Sequence, residues 1–167
     1  SGAHPGDSII LTKSIAIEGC SILALECESK LRSYGVSNED IDKGKNFLNN
    51  PGISIVRDAE IAMASGRVTS MHDPTEGGLA GGLRELAQAA TLGMNVTAED
   101  IPINNVTNQF CSALEIDPLG LIASGSLLIT SNPKDVQNII DSLASEGIPA
   151  SIIGFMQDQS HGLNLVQ

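Results

Sequence analysis

The amino-acid sequence predicts an α/β fold, a layered sandwich in which helices pack on a mixed β-sheet. Three observations support this prediction. Short runs of β-branched and apolar residues alternate with longer segments whose apolar residues recur at helical spacing. Hydrophobic residues make up 41% and charged residues 17% of the chain, as in ordinary globular proteins. A length of 167 residues suits one domain with a sizeable core, so we interpret residues 1–167 as a single domain.

The elements follow one another along the chain in a strand-helix alternation that ends in a β-α-β-β unit. Glycines and prolines mark most of the predicted boundaries. The predicted elements are a strand at 8–13, a helix from about Glu18 to Gly35, a short helix opened by a capping pattern at 37–40, a helix at 55–64, a strand at 67–71, a helix from the 72–74 junction to Ala90, a strand at 94–97, a helix at 106–114, a strand at 126–130, a helix from Pro133 to Gly147, and strands at 152–156 and 163–166.

Composition and charge exclude some classes of partner. The 2% aromatic content leaves few rings for stacking on bases, and 9 basic against 20 acidic residues give a net charge of −11, which repels a phosphate backbone. We therefore expect no nucleic-acid partner. No apolar run approaches the roughly 20 residues of a membrane-spanning helix, so we expect no membrane partner.

The cysteines and the start of the sequence favour a cytoplasmic location. Cys20, Cys27 and Cys111 are odd in number and have neither a disulfide framework nor the spacing of zinc ligands. Cys20 and Cys27 fall on the apolar face of the first predicted helix, where we expect them to fill the core. The first residues lack the charged and apolar regions of a signal peptide.

The most informative segment is the strand-loop-helix junction HDPTEGGLAGG at residues 72–82. Without any ligand, its first part has the chemistry of a helix start: Asp73 suits an N-cap, Pro74 the first helical position, and Glu76 the partner position of a capping box. This interpretation does not account for four glycines in the next six positions, because each glycine inside a helix costs roughly 1 kcal/mol relative to alanine.

The glycines give the predicted helix one bare face and place Gly77 and Gly78 at or next to its start. Gly78, Gly81 and Gly82 lie at spacing i, i+3 and i+4, so another backbone or a ligand can approach unusually closely. One candidate is a neighbouring strand. The other is a phosphate, because the free N–H groups and dipole of a helix N-terminus bind anions. The spacing alone leaves both open.

The same residues carry a resemblance to a known family. The segments DPTEGGL (73–79) and LRELA (83–87) are similar to the D-P-T-[RE]-G-G-L…L-x-E-[IL]-A signature in the C-terminal domain of the aminoimidazole ribonucleotide (AIR) synthase and HypE-like, or PurM-like, superfamily. Residues 5–19 and 117–128 also resemble that family, in the right order, so that the resemblance covers nearly the whole chain.

The chain departs from the hydrogenase maturation branch of this superfamily at several positions. Glu76 stands where those proteins typically carry arginine, which makes the AIR-synthase-related branch the closer match. The sequence ends LNLVQ (163–167), without the Pro-Arg-x-Cys tail that carries the cyano-group precursor in HypE. Ser14, Ile15, Ala16 and Cys20 replace positions that are commonly glycine-rich and threonine in relatives.

The resemblance implies an ATP-dependent enzyme that phosphorylates a carbonyl or amide oxygen, making it a leaving group for ring closure, amination or dehydration. ATP and magnesium would be its cofactors, held mostly by an N-terminal ATP-binding domain that is absent from residues 1–167. The full-length protein is expected to be a homodimer that acts on a small molecule or a protein tail. This domain would form one wall of the cleft and would not turn over ATP alone.

The candidate ligand-binding residues lie at the first loop and at the glycine-rich junction, and no catalytic residue is assigned. Carboxylates suit the hard oxygen chemistry of Mg²⁺, so Asp73 and Glu76 are also candidate magnesium ligands, with helix capping as their structural alternative. The candidates for contact with phosphate or ligand are Asp73, Thr75, Glu76, Gly77, Gly78 and Lys13.

Two other functions remain as alternatives. The fold is compatible with a non-catalytic binding, dimerisation or regulatory module. A metallohydrolase using His72 and Asp73 is disfavoured, because His4 and His161 have no ligand spacing to them.

Overall fold

A computed structural model describes residues 2–167 and confirms the predicted α/β class, with six strands in one mixed sheet and seven α-helices. The strands are β1 (Ser8–Thr12), β2 (Val68–His72), β3 (Gly93–Thr97), β4 (Leu128–Ser131), β5 (Ala150–Gln157) and β6 (Leu163–Val166). The helices are α1 (Ile17–Glu26), α2 (Glu28–Ser33), α3 (Asn38–Lys45), α4 (Val56–Ser65), α5 (Gly78–Ala90), α6 (Asn105–Leu114) and α7 (Val136–Ser145).

The sheet has the strand order β2-β4-β1-β5-β3-β6. All neighbouring strands are antiparallel except β3 and β6, which are parallel. It follows that β1, β2, β3 and β6 all run in one direction and end on the same side of the sheet, here called the carboxyl end. Leu11 of β1 and His72 of β2 both pair with Leu128 of β4, so the residues that follow these two strands leave the sheet at the same level.

Alternate residues of the central strands fill cores on opposite faces of the sheet. Ile9 and Leu11 of β1 pack in one core with Leu79 and Leu86 of α5. Ile10, between them, packs in a second core with residues of α4 and α7. A third cluster joins α1, α2, α3 and α6 beside the sheet. The helices are thus held on both faces by the period-2 pattern of the strands.

Two predicted helices outside the glycine-rich junction have wrong boundaries. The single helix expected from Glu18 to Gly35 is two helices, because Cys27 leaves the helical region at φ −111° and ψ 15° and separates α1 from α2. Cys20 is fully buried as predicted, but Cys27 at this break is only half-buried. The helix expected from Pro133 begins at Val136, after a turn in which the N–H of Asp135 donates to the Asn132 carbonyl oxygen.

No helix within residues 2–167 combines the length and the apolar composition that a bilayer crossing would need.

Candidate phosphate site at the carboxyl end of the sheet

The three segments that carry the family resemblance meet at the carboxyl end of the sheet. Strand β1 leads into the loop at 13–16 and then into α1, and β2 leads into the loop at 73–77 and then into α5. Because β1 and β2 are parallel, with only β4 between them, both helices begin at this end. The third segment, residues 117–128, packs against both helix starts.

Backbone hydrogen bonds tie this third segment to α1. The N–H of Glu18 donates to the Ser124 carbonyl oxygen (3.3 Å), and the N–H of Gly19 donates to the Ile122 carbonyl oxygen (3.1 Å). A Cβ atom on Gly19 would lie 2.7 Å from the same Ile122 oxygen, so this close approach requires glycine.

The same segment is tied to the glycine-rich loop and to α5. The N–H of Ala80 donates to the Leu119 carbonyl oxygen (3.0 Å), and the N–H of Ala123 donates to the Thr75 carbonyl oxygen (3.2 Å). The Thr75 oxygen also accepts from the N–H of Gly78 (3.1 Å). The glycine-rich loop is therefore a fixed part of the fold, built from segments distant in sequence.

Helix α5 begins at two consecutive glycines, as predicted. Gly77 is the N-cap at φ 81° and Gly78 the first helical residue at φ 64°, a left-handed backbone that favours glycine. No side chain caps this helix, so the capping interpretation of Asp73 and Glu76 is wrong. The physical reason is that the chain spends four further residues in the loop after Asp73 before the helix starts.

The bare face predicted from the glycine spacing is occupied by backbone. A Cβ atom on Gly78 would lie 2.7 Å from the Leu121 carbonyl oxygen and 2.8 Å from the carbonyl carbon of Gly120, and would also clash with the Leu119 oxygen. A Cβ atom on Gly82 would lie 2.7 Å from the Pro74 side chain. The approaching backbone is a loop and not the neighbouring strand that was one of the two predicted candidates.

The N–H groups of the glycine-rich loop remain available to an anion. Within residues 2–167, the backbone N–H groups of Glu76 and Gly77 have no acceptor, and both residues are exposed. The side chain of Thr75 is also exposed beside them. Free N–H groups at a helix start, with the positive end of the helix dipole behind them, form a local anion-binding arrangement.

Lys13 is next to this loop but is already engaged. Its side chain is only 8% exposed, and its ammonium donates to the carbonyl oxygens of Ser54 (2.8 Å) and Gly125 (2.9 Å) and lies 3.2 Å from Oδ2 of Asp58. Asp58 also accepts a hydrogen bond from the Thr12 hydroxyl (2.7 Å). Lys13 thus joins the end of β1 to α4 and to the 117–128 segment.

Asp73 is the most perturbed carboxylate of this region. Its side chain is exposed, but partial loss of water around the carboxyl raises its pKa, and the negative charge of Glu18 acts in the same direction. Electrostatic interactions with His72 and Lys13 oppose this shift. His72 itself contacts Glu85 through Nε2 at 2.8 Å. Asp73 thus lies close enough to Glu18 and Lys13 for their charges to act on it.

No cluster of three or more His, Cys, Asp or Glu side chains suitable for a metal ion occurs in residues 2–167. Glu76 is exposed and is not among the charges that act on Asp73. The carboxylate that does act on Asp73 is Glu18. Mg²⁺ commonly takes one or two carboxylates and completes its shell with water and substrate phosphates, which fits Asp73 as a partial ligand.

Sequence reasoning missed two residues of this region. Glu18 lies in the first turn of α1 and Asp58 in the first turn of α4, where acidic residues are common for purely local reasons. Glu18 lies within the stretch that resembles the family, which was the available signal. No sequence signal pointed to Asp58. Its side chain is only 1% exposed, and the burial of an acidic residue at a helix start cannot be read from the sequence.

The chain is similar to proteins of known family along almost its whole length. Residues 4–164 match the AIR synthase related protein, C-terminal domain family. Carbamoyl dehydratase HypE of Azotobacter vinelandii is 29% identical over 162 residues, which cover 95% of this chain and 44% of that protein. The chain spans less than half the length of this curated relative and of the hydrogenase expression/formation protein of Methanocaldococcus jannaschii, also 44% covered.

Solved structures show the same fold. The crystal structure of HypE from E. coli superimposes with a TM-score of 0.76 at 19% identity, over 97% of this chain and 47% of that chain. A hydrogenase maturation protein HypE solved in complex with ATP superimposes with a TM-score of 0.68 at 24% identity, over 94% of this chain and 44% of that chain. Since the family match spans residues 4–164, the chain belongs to the AIR synthase related proteins and has the fold of their C-terminal domain.

Proposed function

We propose that this chain is the C-terminal domain of an ATP-dependent enzyme that phosphorylates a carbonyl or amide oxygen. The observation that carries the proposal is the convergence at the carboxyl end of the sheet, where two helix starts, free loop N–H groups and the charged residues Lys13, Glu18 and Asp73 come together. Phosphoryl transfer depends on positioning and charge neutralisation, which is the kind of contribution that such a surface can make.

The comparisons support the ATP-dependent part of the proposal. A curated relative is a carbamoyl dehydratase, and a HypE structure of the same fold was solved with ATP. Removal of an amide oxygen as water needs that oxygen to become a good leaving group, and phosphorylation by ATP is a direct way to achieve this. The substrate of this chain's own protein is proposed to be a small molecule or a protein tail.

In this proposal the loop N–H groups of Glu76 and Gly77, with the Thr75 hydroxyl beside them, bind phosphate oxygens. Asp73 would provide one ligand to Mg²⁺, with Glu18 as a nearby second carboxylate, and a bound ion would supply positive charge opposite the phosphates. The pKa of Asp73 is raised mainly because its carboxyl has partly lost its surrounding water, and a bound cation would offset this effect by stabilising the charged carboxylate. Lys13 acts mainly by fixing the loops, because its three donor directions are taken.

The proposal also includes a second domain and a second subunit. The carboxyl end of the sheet in this chain provides few cationic side chains. The net charge of −11 also disfavours binding of a nucleoside triphosphate unless cations from elsewhere contribute. Since the curated relatives are about twice as long, we place most of the ATP and magnesium site in an N-terminal domain of the full protein. A homodimer of that protein is the assembly proposed.

The test is an Asp73→Asn substitution in the native protein that carries this chain. We expect a fall in kcat/KM for ATP of about tenfold or more and a higher Mg²⁺ requirement, with the melting temperature unchanged or raised. Asp42→Asn is the matched control, because Asp42 is exposed and forms no ion pair within residues 2–167. Equal activity of both variants and the wild type would show that Asp73 has no part in the reaction.

A further inference from the structure

A narrow apolar groove lies beside the glycine-rich loop, between α5 and the outer strands of the sheet. Its volume is about 170 Å³. An apolar protein cavity of about 150 Å³ is large enough to hold benzene, so this groove has room for an apolar body of about six to eight heavy atoms. The lining residues are mostly apolar, with one charged and one amide side chain among them, and they include Leu83, Arg84, Met94, Leu119, Leu163 and Asn164.

The groove and the glycine-rich loop share a wall. The backbone of Leu119 accepts a hydrogen bond from the N–H of Ala80 and packs against Gly78, and Leu119 also lines the groove. Arg84 follows Gly78 by six residues along α5, a rise of about 9 Å. The groove and the start of α5 are therefore neighbouring sites that share the residue Leu119.

Arg84 has a free charge. It is exposed and forms no hydrogen bond or ion pair within residues 2–167. The acidic residue beside it, Glu85, is engaged with His72 at 2.8 Å. The chain has a net charge of −11, so an unpaired arginine at an apolar groove is a local positive charge that attracts a single negative group on a ligand.

We propose that this groove binds a small carboxylic acid with an apolar body, whose carboxylate pairs with Arg84. The inference deepens the proposed function and rests on it in one respect: the groove then holds the non-reacting part of the substrate, with the reacting oxygen nearer Gly77 and Gly78. A single carboxylate suits one guanidinium, which can bind it through two parallel hydrogen bonds. The groove is too small for several residues of an extended peptide.

The experiment is an NMR titration of the isotope-labelled chain, without ATP, using 4-methylpentanoate and its neutral isostere 4-methylpentanamide. We expect saturable shifts of the Leu83, Met94 and Leu163 methyl groups with the acid, and binding of the amide weaker by about tenfold. Binding of the acid should also weaken as salt is added, because Arg84 is exposed.

Three variants separate the parts of the proposal. Arg84→Gln should weaken binding of the acid by about tenfold and leave the amide unaffected. Arg67→Gln, which removes an equally exposed and unpaired arginine elsewhere, should change neither. Ala80→Phe should abolish binding of both ligands by filling the groove, since Ala80 is an exposed helical residue whose replacement leaves the core intact.

Several outcomes would overturn the proposal: no saturable shift, equal affinity for acid and amide, or equal effects of Arg84→Gln and Arg67→Gln. The titration contains no nucleotide, so its result is independent of the Asp73→Asn test of ATP dependence. If the acid binds in the groove but the native protein shows no ATP-dependent activity, the ligand class stands and the proposed phosphorylation is rejected.

Discussion

Replacement of Gly78 by alanine tests the closest backbone approach in the candidate site. Gly78 combines a left-handed backbone, φ 64°, with the 119–121 loop packed where a Cβ atom would lie. Gly77 provides a matched control, because it is also left-handed, φ 81°, but its Cβ would meet only the Cα of Gly81 at an ordinary 3.6 Å. The two substitutions share the backbone strain and differ in the clash.

The free-energy costs of the backbone strain and of the clash can be worked out separately. A left-handed alanine costs about 1–2 kcal/mol, and the lower entropy of the unfolded chain returns about 0.4–1 kcal/mol, so Gly77→Ala should cost about 1 kcal/mol. Gly78→Ala must also displace the 119–121 loop. Overpacking costs about 1–3 kcal/mol, and the Ala80 to Leu119 hydrogen bond, if stretched, about 1 kcal/mol more. We therefore expect Gly78→Ala to be the more destabilising by about 3 kcal/mol.

Thermal denaturation measures this difference. For a domain of this size, 1 kcal/mol corresponds to about 2–4 °C, so the melting temperature of Gly78→Ala should lie about 6–12 °C below that of Gly77→Ala. Urea denaturation provides the free energies of unfolding directly. Equal losses in the two variants would refute the reasoning, because they would show that the loop gives way without cost.

Three further predictions concern buried and perturbed side chains. Asp58→Asn should destabilise the chain by about 3 kcal/mol in urea denaturation at neutral pH, because it leaves the buried Lys13 ammonium without its counter-ion; a loss below about 1 kcal/mol would contradict this. Burial raises the pKa of the Cys20 thiol to about 11, so about one molecule in a thousand carries its thiolate at pH 8, and a thiol reagent should label the native chain mainly at Cys27; fast labelling of a second thiol would contradict this. The pKa of Asp73 is raised, so the folded state binds this proton more tightly than the unfolded state, and the resulting stabilisation is present at low pH and is lost as pH rises through the folded pKa. The free energy of unfolding of Asp73→Asn, relative to that of the wild type, should therefore rise over that pH range. A constant or falling difference would contradict this.

The fold class could be predicted because its signals are local. The apolar, β-branched runs of β1 and β4 and the 3.6-residue period of α5 lie in the sequence itself, and Ser37 caps α3 through the N–H of Asp40 as its pattern predicts. The strand order could not be predicted, because the pairing of β1 with β4 and β5 joins segments more than a hundred residues apart. The break at Cys27 has no proline or glycine to signal it.

The candidate site was predictable in its composition and not in its geometry. The glycine spacing correctly indicated a close approach at Gly78, but the approaching loop at 119–121 is set by tertiary structure. The Asp-Pro-Thr-Glu sequence suggested a helix cap, whereas Gly77 in a left-handed conformation starts the helix. The engagement of Lys13 depends on Asp58, 45 positions further along the chain, and no local pattern reports such a pair.

We propose that this chain forms one wall of an ATP site, at the carboxyl end of its sheet, and does not complete that site alone. The most direct test is an NMR titration of the isotope-labelled chain with ATP and Mg²⁺, in which ADP formation is followed in the same sample. We predict weak, millimolar binding, with amide shifts concentrated at 13–19, 73–79 and 119–125, and no steady production of ADP. Micromolar binding with steady turnover, or shifts confined to other parts of the chain, would contradict the account.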